Sequence, residues 1–203
     1  MPKRTVGIEI GTENIKIVYG VKKKGDFSLL DYRIIKSSDK VFGLDEELNI
    51  NEIYPILVSS LEDMNVKKAD CYITISSKKT IIRTRDLPIV KKKEMGNIIK
   101  FEAEQFLPYS IEAFAVDYKV VGSYVDDEGA SFAKVMIVAV PLEIVQDYMA
   151  LVNLTKLNLR GMTVYTDALF SYFTNNRNNK DRNILIADIG HNFSRMLMIE
   201  NNE

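Results

Sequence analysis

Two turns of one design stand near opposite ends of this chain and constrain its fold more than any other feature. Gly7-Ile-Glu9-Ile-Gly11-Thr12-Glu-Asn-Ile-Lys16 is an apolar strand, a carboxylate, an apolar residue, a glycine and a tight turn into a second strand. Ala187-Asp188-Ile-Gly190-His191-Asn-Phe-Ser194-Arg195 repeats that order. Such a turn suits phosphate. Glycine lets backbone N–H groups approach phosphoryl oxygens, a hydroxyl and a cation add donors, and a strand-end carboxylate can hold Mg²⁺ through water. Two of them facing each other would grip a nucleotide tail from both sides. One copy alone is also what an ordinary hairpin uses, its acid stabilising the turn and its glycine supplying positive φ. Glu9 and Asp188 are therefore candidate metal carboxylates, and Gly11, Thr12 and Gly190 candidate phosphate cradles. Lys16 and Arg195 either meet phosphate or are solvated strand residues, the second being the expectation for Arg195. His191 has no second histidine or cysteine beside it and is read as part of the turn.

The segments around these turns order themselves by periodicity. Thr5 to Ile10, Ile15 to Val21 and Phe27 to Lys36 alternate with period two and read as three successive antiparallel strands. Asn51 then caps a helix with Ile53, Leu57 and Leu61 on one face and Pro55 near its first turn, and strand Cys71 to Ser76 follows. This is how a ribonuclease-H-like half-domain begins. From Thr80 comes a strand ending at Leu87-Pro88, a lysine run, and a helix stopped by Leu107-Pro108 with Met95, Ile98, Ile99, Ala103 and Phe106 on one face. Strands Ala115 to Gly122 and Ser131 to Val140 precede a helix opened by Pro141 and running to about Leu157. The sequence thus predicts a small α+β insert, after which strand Leu159 to Val164 and a helix from about Asp167 to Phe173 return to the first layer. Asn175 to Asn183 reads as a linker.

Composition removes several classes. With 27 Lys+Arg against 28 Asp+Glu the formal charge is -1, which argues against nucleic acid as a partner. One cysteine, Cys71, in an alternating apolar stretch excludes internal disulfides and multi-cysteine metal sites and reads as a small core residue. The longest apolar run, Val135 to Leu142, is far short of the ~20 residues that span a bilayer. The lysine runs at Lys22 to Lys24 and Lys91 to Lys93 read as solvated, with anionic lipid as the other reading. A cytoplasmic protein is expected.

Val6-Gly-Ile-Glu-Ile-Gly-Thr12 with Lys16 resembles the first phosphate motif of the actin and Hsp70 superfamily, and Ile186-Ala-Asp-Ile-Gly190 with Ser194 its second. Arg83-Thr-Arg-Asp-Leu-Pro88, then Phe101-Glu-Ala-Glu-Gln-Phe-Leu-Pro-Tyr109, then Val116-Asp-Tyr-Lys-Val-Val-Gly122 and Val135-Met-Ile-Val-Ala139 closely resemble the PilM family of type IV pilus assembly, across essentially the whole chain. The resemblance implies an α/β, actin-like fold of the FtsA type: a ribonuclease-H-like domain 1A over 1–84 and 158–178, an inserted α+β subdomain 1C over 85–157, and the opening hairpin of a second half, 2A, over 179–203.

It further implies a scaffold at the inner face of the cell membrane that binds ATP and Mg²⁺ between two halves, docks the cytoplasmic tail of a PilN-like inner-membrane protein, and contacts other pilus assembly proteins. Carried over residue by residue, the nucleotide would meet Glu9, Gly11, Thr12, Lys16, Asp188, Gly190 and Ser194, with Mg²⁺ on Glu9 and Asp188. The tail would meet the insert, with Phe101, Leu107, Pro108 and Tyr109 as candidate walls and Phe106 as core. Membrane contact is expected only through the partner. No catalytic residue stands out: where relatives often carry an acid between the halves this chain has Val164-Tyr165-Thr166, with Asp167 displaced, so at most weak ATPase activity is expected. The family continues well beyond its second phosphate motif, whereas this sequence stops at Glu203. A fragment or a hairpin packed on a partner is therefore expected, with poor ATP binding by the isolated chain. An FtsA-like division protein and a small-molecule kinase of the same superfamily are the competing readings.

Overall fold

The structure is a computed structural model and describes residues 3–23, 26–43, 47–175, 183–190 and 194–200. The readings placed on Lys24, on His191 and on all but the ends of the 175–183 linker fall outside the described residues. The chain divides into two compact units, one of Met1–Ser77, Ile144–Leu169 and Asp188–Arg195, the other of Lys78–Glu143, Phe170–Ala187 and Met196–Glu203.

The first unit holds β1 (Lys3–Ile10), β2 (Asn14–Lys23), β3 (Asp26–Lys36), α1 (Ile50–Asp63) and β4 (Asp70–Ile75). The later segments that join them are α3 (Leu142–Leu154), β8 (Asn158–Val164) and the start of α4 (Tyr165–Asn175). The strands form one sheet in the order β3-β2-β1-β4-β8. β1 and β3 are antiparallel to β2, whereas β4 is parallel to β1 and to β8, which is why each parallel pair needs a long crossover. Period-two alternation buries Val6, Ile8 and Ile10, Ile15, Ile17 and Tyr19, and Cys71, Ile73 and Ile75. The helices add Ile53, Leu57 and Leu61 from α1 and Ile144, Tyr148 and Leu151 from α3. Asp147 accepts a hydrogen bond from the Leu48 N–H (3.4 Å), and the Tyr148 hydroxyl accepts one from the Ser76 N–H (3.3 Å).

The second unit holds β5 (Ile81–Pro88), α2 (Lys92–Glu104), β6 (Phe114–Val125) and β7 (Ser131–Pro141), with a short 3-10 turn at Ile111–Ala113. Its antiparallel sheet runs β5-β7-β6. The α2 stripe Met95, Ile99 and Ala103 is buried in one cluster with Leu87, Ala133, Val135 and Ile137. β9 (Ile184–Ile189) and β10 (Ser194–Ile199) pair as a two-stranded sheet whose Leu185, Ile189, Met196 and Met198 are exposed.

Several local expectations are corrected. α1 is capped by Asn49, whose carbonyl accepts from Glu52 and Ile53 at 3.1 Å, so Asn51 lies inside the helix and Pro55 in its second turn. α2 ends at Glu104, before Leu107-Pro108, because the Ala103 carbonyl takes both the Phe106 and the Leu107 N–H at 3.1 Å. Pro141 is the last residue of β7 rather than the first of a helix, and α3 stops at Leu154. Phe106 is only partly buried: it lies beyond the helix, packed against the insert core, with the Arg83 and Arg85 guanidinium groups each 5.9 Å from its ring centre.

Candidate functional site

Parallel strands deliver their carboxyl ends to one side of a sheet, and loops leaving those ends are where an open α/β fold builds a site. β1 ends at Ile10 and leads into Gly11, β4 ends at Ile75 and leads into Ser76, and β8 ends at Val164 and leads into Tyr165. At that end a cavity of about 190 Å³ is lined by the first turn and by Ser76, Asp188, Ile189, Gly190 and Arg195, all within the first unit.

The first turn is held tightly. The Gly11 N–H donates to the Asn14 carbonyl (3.0 Å), and the Ser37 hydroxyl donates to the Gly11 carbonyl (2.9 Å). A Cβ on Gly11 would stand 2.9 Å from that Asn14 oxygen, so the close approach, not a positive φ, demands glycine. Each carboxylate carries its own cation. Lys16 Nζ donates to Glu9 Oε1 at 2.9 Å across the β1–β2 register pair, and an Arg195 nitrogen lies 3.7 Å from Asp188 Oδ2. Arg195 also donates to Ser76 Oγ (2.9 Å), and its guanidinium stacks 4.9 Å from the Tyr165 ring centre. Burial, ahead of the charges it faces, pulls the Arg195 pKa below its ordinary value. Burial is likewise the first cause that pushes the Tyr165 phenol up to about 12, followed by the charges of Asp188 and Glu9 and a hydrogen bond to Asp188, with Arg195 opposing. One phenol thus registers both carboxylates, which places the two copies of the motif around one point.

Of the residues singled out from sequence, Glu9, Gly11, Thr12, Lys16, Asp188 and Gly190 line this cavity, and Ser194 does not. Arg195 is not a solvated strand residue: its side chain is 26 % exposed and engages three partners. Ser76 and Tyr165 were missed, although each directly follows a parallel strand, the positional signal that could have found them. Asp167 accepts a hydrogen bond from the Thr163 hydroxyl (2.7 Å). No group of three or more metal-ligating side chains occurs among the described residues. Two carboxylates facing two cations still fit a magnesium–phosphate group held through water, since Mg²⁺ keeps most of its water shell.

On the second unit, Phe101 and Tyr109 are 62 % and 75 % exposed, Pro108 is exposed, and Leu107 packs against the insert core. A separate groove of about 550 Å³ runs between α2 and β6, with Ile99, Ile111, Phe114, Val116 and Tyr118 as apolar walls. None of the four partner residues chosen from sequence lines it. Its walls come from segments distant in sequence, and no local pattern announces it.

A sheet of order β3-β2-β1-β4-β8 with two carboxylate turns converging beyond its strand ends defines the actin-like ATPase fold. The chain belongs to the family described as Type IV pilus assembly protein PilM, whose pattern matches residues 7–203. Among solved structures it is similar to a PilM-PilN type IV pilus biogenesis complex, with a TM-score of 0.82 and 19% identity over 98% of this chain. It spans 59% of the length of that chain. It is also similar to the cytoplasmic domain of EpsL, an inner-membrane component of the type II secretion system of Vibrio cholerae (TM-score 0.55, 10% identity, 100% of this chain and 69% of that one). A Bacteroides thetaiotaomicron protein with an actin-like ATPase fold and unknown function matches at a TM-score of 0.54 and 12% identity, over 99% of this chain and 67% of that one. No curated protein matches the sequence.

Proposed function

We propose that this chain belongs to a nucleotide-responsive scaffold of type IV pilus assembly, located in the cytoplasm and held at the inner membrane through its partners. It takes ATP at the paired turns and the cytoplasmic tail of a PilN-like protein on the insert, with 1A leaving at Ser77 and resuming at Ile144, the insert 1C over Lys78–Glu143, and 179–203 opening 2A. The observation that carries the nucleotide half is the convergence of Glu9 with Lys16 and Asp188 with Arg195 on one cavity. There Gly11 and Gly190 would let backbone donors reach phosphate, Thr12 would add a hydroxyl, and Lys16 and Arg195 would exchange carboxylate for phosphoryl oxygen. Glu9 and Asp188 would hold Mg²⁺ through water, and the ion would neutralise phosphate charge. Turnover is slow on this reading, well below the ~1 to 100 s⁻¹ of dedicated phosphotransferases. Tyr165, which occupies the stretch between the halves, stays protonated through neutral pH and cannot accept a proton from water. The family match favours pilus assembly over the division-protein and kinase readings.

Calorimetric titration with Mg-ATP tests the cleft. In the full-length protein, Gly11→Val and Asp188→Ala should each weaken binding at least tenfold, about 1.4 kcal/mol, whereas the isolated chain should bind poorly from the start. Affinity unchanged in both would reduce the paired motif to ordinary turns. For the partner surface, Phe101→Ala or Tyr109→Ala should weaken capture of a fluorescent PilN-like tail peptide by about 1 kcal/mol or more, the level of a binding hot spot. Loss instead on Phe114→Ala, with Phe101 and Tyr109 indifferent, would move the tail into the α2–β6 groove.

A further inference from the structure

The end of the five-stranded sheet opposite the cleft collects positive charge from three separate segments. Lys3 and Arg4 open β1, Lys22 and Lys23 close β2, and Lys67 and Lys68 precede β4. The sheet register gathers them, since Lys3 pairs with Lys22, and Thr5 pairs with Asp70 just after Lys68. All six are exposed and none forms an ion pair among the described residues. A shallow cavity of about 260 Å³ opens among Lys3, Arg4, Lys68 and Arg160. Asp70 lies there too but is already taken by Arg160 at 2.9 Å, which leaves Asp26, the register partner of Lys23, and Glu62 and Asp63 at the end of α1 as the acids of this end, against six cations. In a chain whose formal charge is -1, this is segregation of charge, not an excess of it.

A second observation separates the classes of anion that such an end could meet. Large apolar side chains stand exposed beside the lysines: Phe27, paired in register with Lys22, then Leu29 and Leu30 on β3, and Leu154 at the end of α3. The Phe27 ring lies over Gly20, where a Cβ would come within 2.3 Å of it. Phosphate ions and nucleic acid backbones would use the cations and leave these aliphatic groups in water. A bilayer rich in anionic lipid uses both, since its surface potential attracts Lys and Arg and its headgroup region accepts aromatic and aliphatic side chains.

We infer that this basic, apolar-fringed end of the sheet rests directly on an anionic membrane surface. β1 runs away from that surface for eight residues, roughly 25 Å at the usual rise per strand residue, so the cleft at its far end stays open to solution. Contact with lipid is then a property of this chain itself, and it adds to the hold through partners proposed above.

Co-flotation of the purified chain with vesicles tests this, using phosphatidylglycerol mixed into phosphatidylcholine against phosphatidylcholine alone. The expected result is binding to the anionic vesicles only, weakening as NaCl rises because the surface potential is screened. Lys22→Glu/Lys23→Glu and Lys67→Glu/Lys68→Glu should each lower the partition coefficient tenfold or more, and Phe27→Ser several-fold. Lys91→Glu/Lys92→Glu, with the same change in net charge on the second unit, should stay within twofold. Lys22→Gln/Lys23→Gln, which adds no repulsion, guards against a misfolded variant and should show a smaller loss in the same direction. Equal binding to neutral vesicles, equal loss on the Lys91/Lys92 variant, or no loss on either sheet-end pair would overturn the assignment. So would binding of a DNA duplex or inorganic phosphate at the same basic end with affinity matching the vesicles and no response to Phe27→Ser.

Discussion

The same small substitution should have opposite signs at two glycines, and both signs follow from what the added methyl group would meet. At Gly11 a Cβ would stand 2.9 Å from the Asn14 carbonyl oxygen, the atom that accepts the Gly11 N–H at 3.0 Å. That oxygen belongs to the backbone and cannot swing aside. Gly11→Ala must therefore open the turn, losing a hydrogen bond worth about 0.5–1.5 kcal/mol and adding overpacking strain of about 1 kcal/mol. The sum, about 1.5–2.5 kcal/mol, corresponds to a fall in Tm of about 3–10 °C for a chain of this size. At Gly96, inside α2, nothing lies within 4 Å of an added Cβ. Gly96→Ala should gain the helix-propensity difference of about 0.5–1 kcal/mol, raising Tm by about 1–4 °C. Thermal unfolding followed by circular dichroism reads both. A Gly11→Ala protein that melts at or above wild type would show that the turn relaxes freely and cannot act as a preformed phosphate cradle. A Gly96→Ala protein that melts lower would show that α2 is crowded where space is expected.

Arg195→Met keeps the apolar stem but removes the bond to Ser76, the contact with Asp188 and the stacking on Tyr165, and should cost about 1–2 kcal/mol in chemical denaturation, while Lys156→Met, at an exposed position, should be silent. Burial pushes the Cys71 thiol from 9.0 up to about 12, so its protonated form supports the fold fully below pH 9, and that support is lost as pH rises toward 12. Cys71→Ala should flatten this part of the alkaline unfolding curve, and a thiol reagent should label native Cys71 at pH 8 only as fast as the chain opens. Ile99→Ala, in the centre of the insert core, should cost about 2–5 kcal/mol, whereas Phe106→Ala should cost less than the ~3–5 kcal/mol of a fully buried phenylalanine, a ranking that urea titration of both variants can reverse.

Much of the architecture was legible in the chain itself because it is written at short range. Period-two alternation marks β1, β2, β3 and β4 within a residue or two, and the four-residue spacing of Ile53, Leu57 and Leu61 and of Met95, Ile99 and Ala103 marks the buried faces of α1 and α2. The two carboxylate–glycine turns and the Leu-Pro punctuation around 101–109 are local strings too, and they were enough to point to the family. Element ends were less legible, since the choice of Asn49 over Asn51 as cap, or of Glu104 as the last residue of α2, depends on which backbone groups find partners once the loop is placed.

What required the tertiary structure is every relation between distant segments. No local pattern says that Arg195 reaches Ser76 and Tyr165, or that Tyr165 feels both Glu9 and Asp188; those follow from parallel strands bringing their carboxyl ends to one side. The groove between α2 and β6 and the basic end shared by β1, β2 and the approach to β4 are likewise products of register and crossover. In sequence Lys22 belongs to a run read as solvated, with anionic lipid as the other reading, and nothing marks Lys3 or Lys68 as its neighbours. Only the pairing of β1 with β2 and β4 sets them side by side, because a sheet joins residues by strand order, which the chain specifies through its whole buried face and not at any one position.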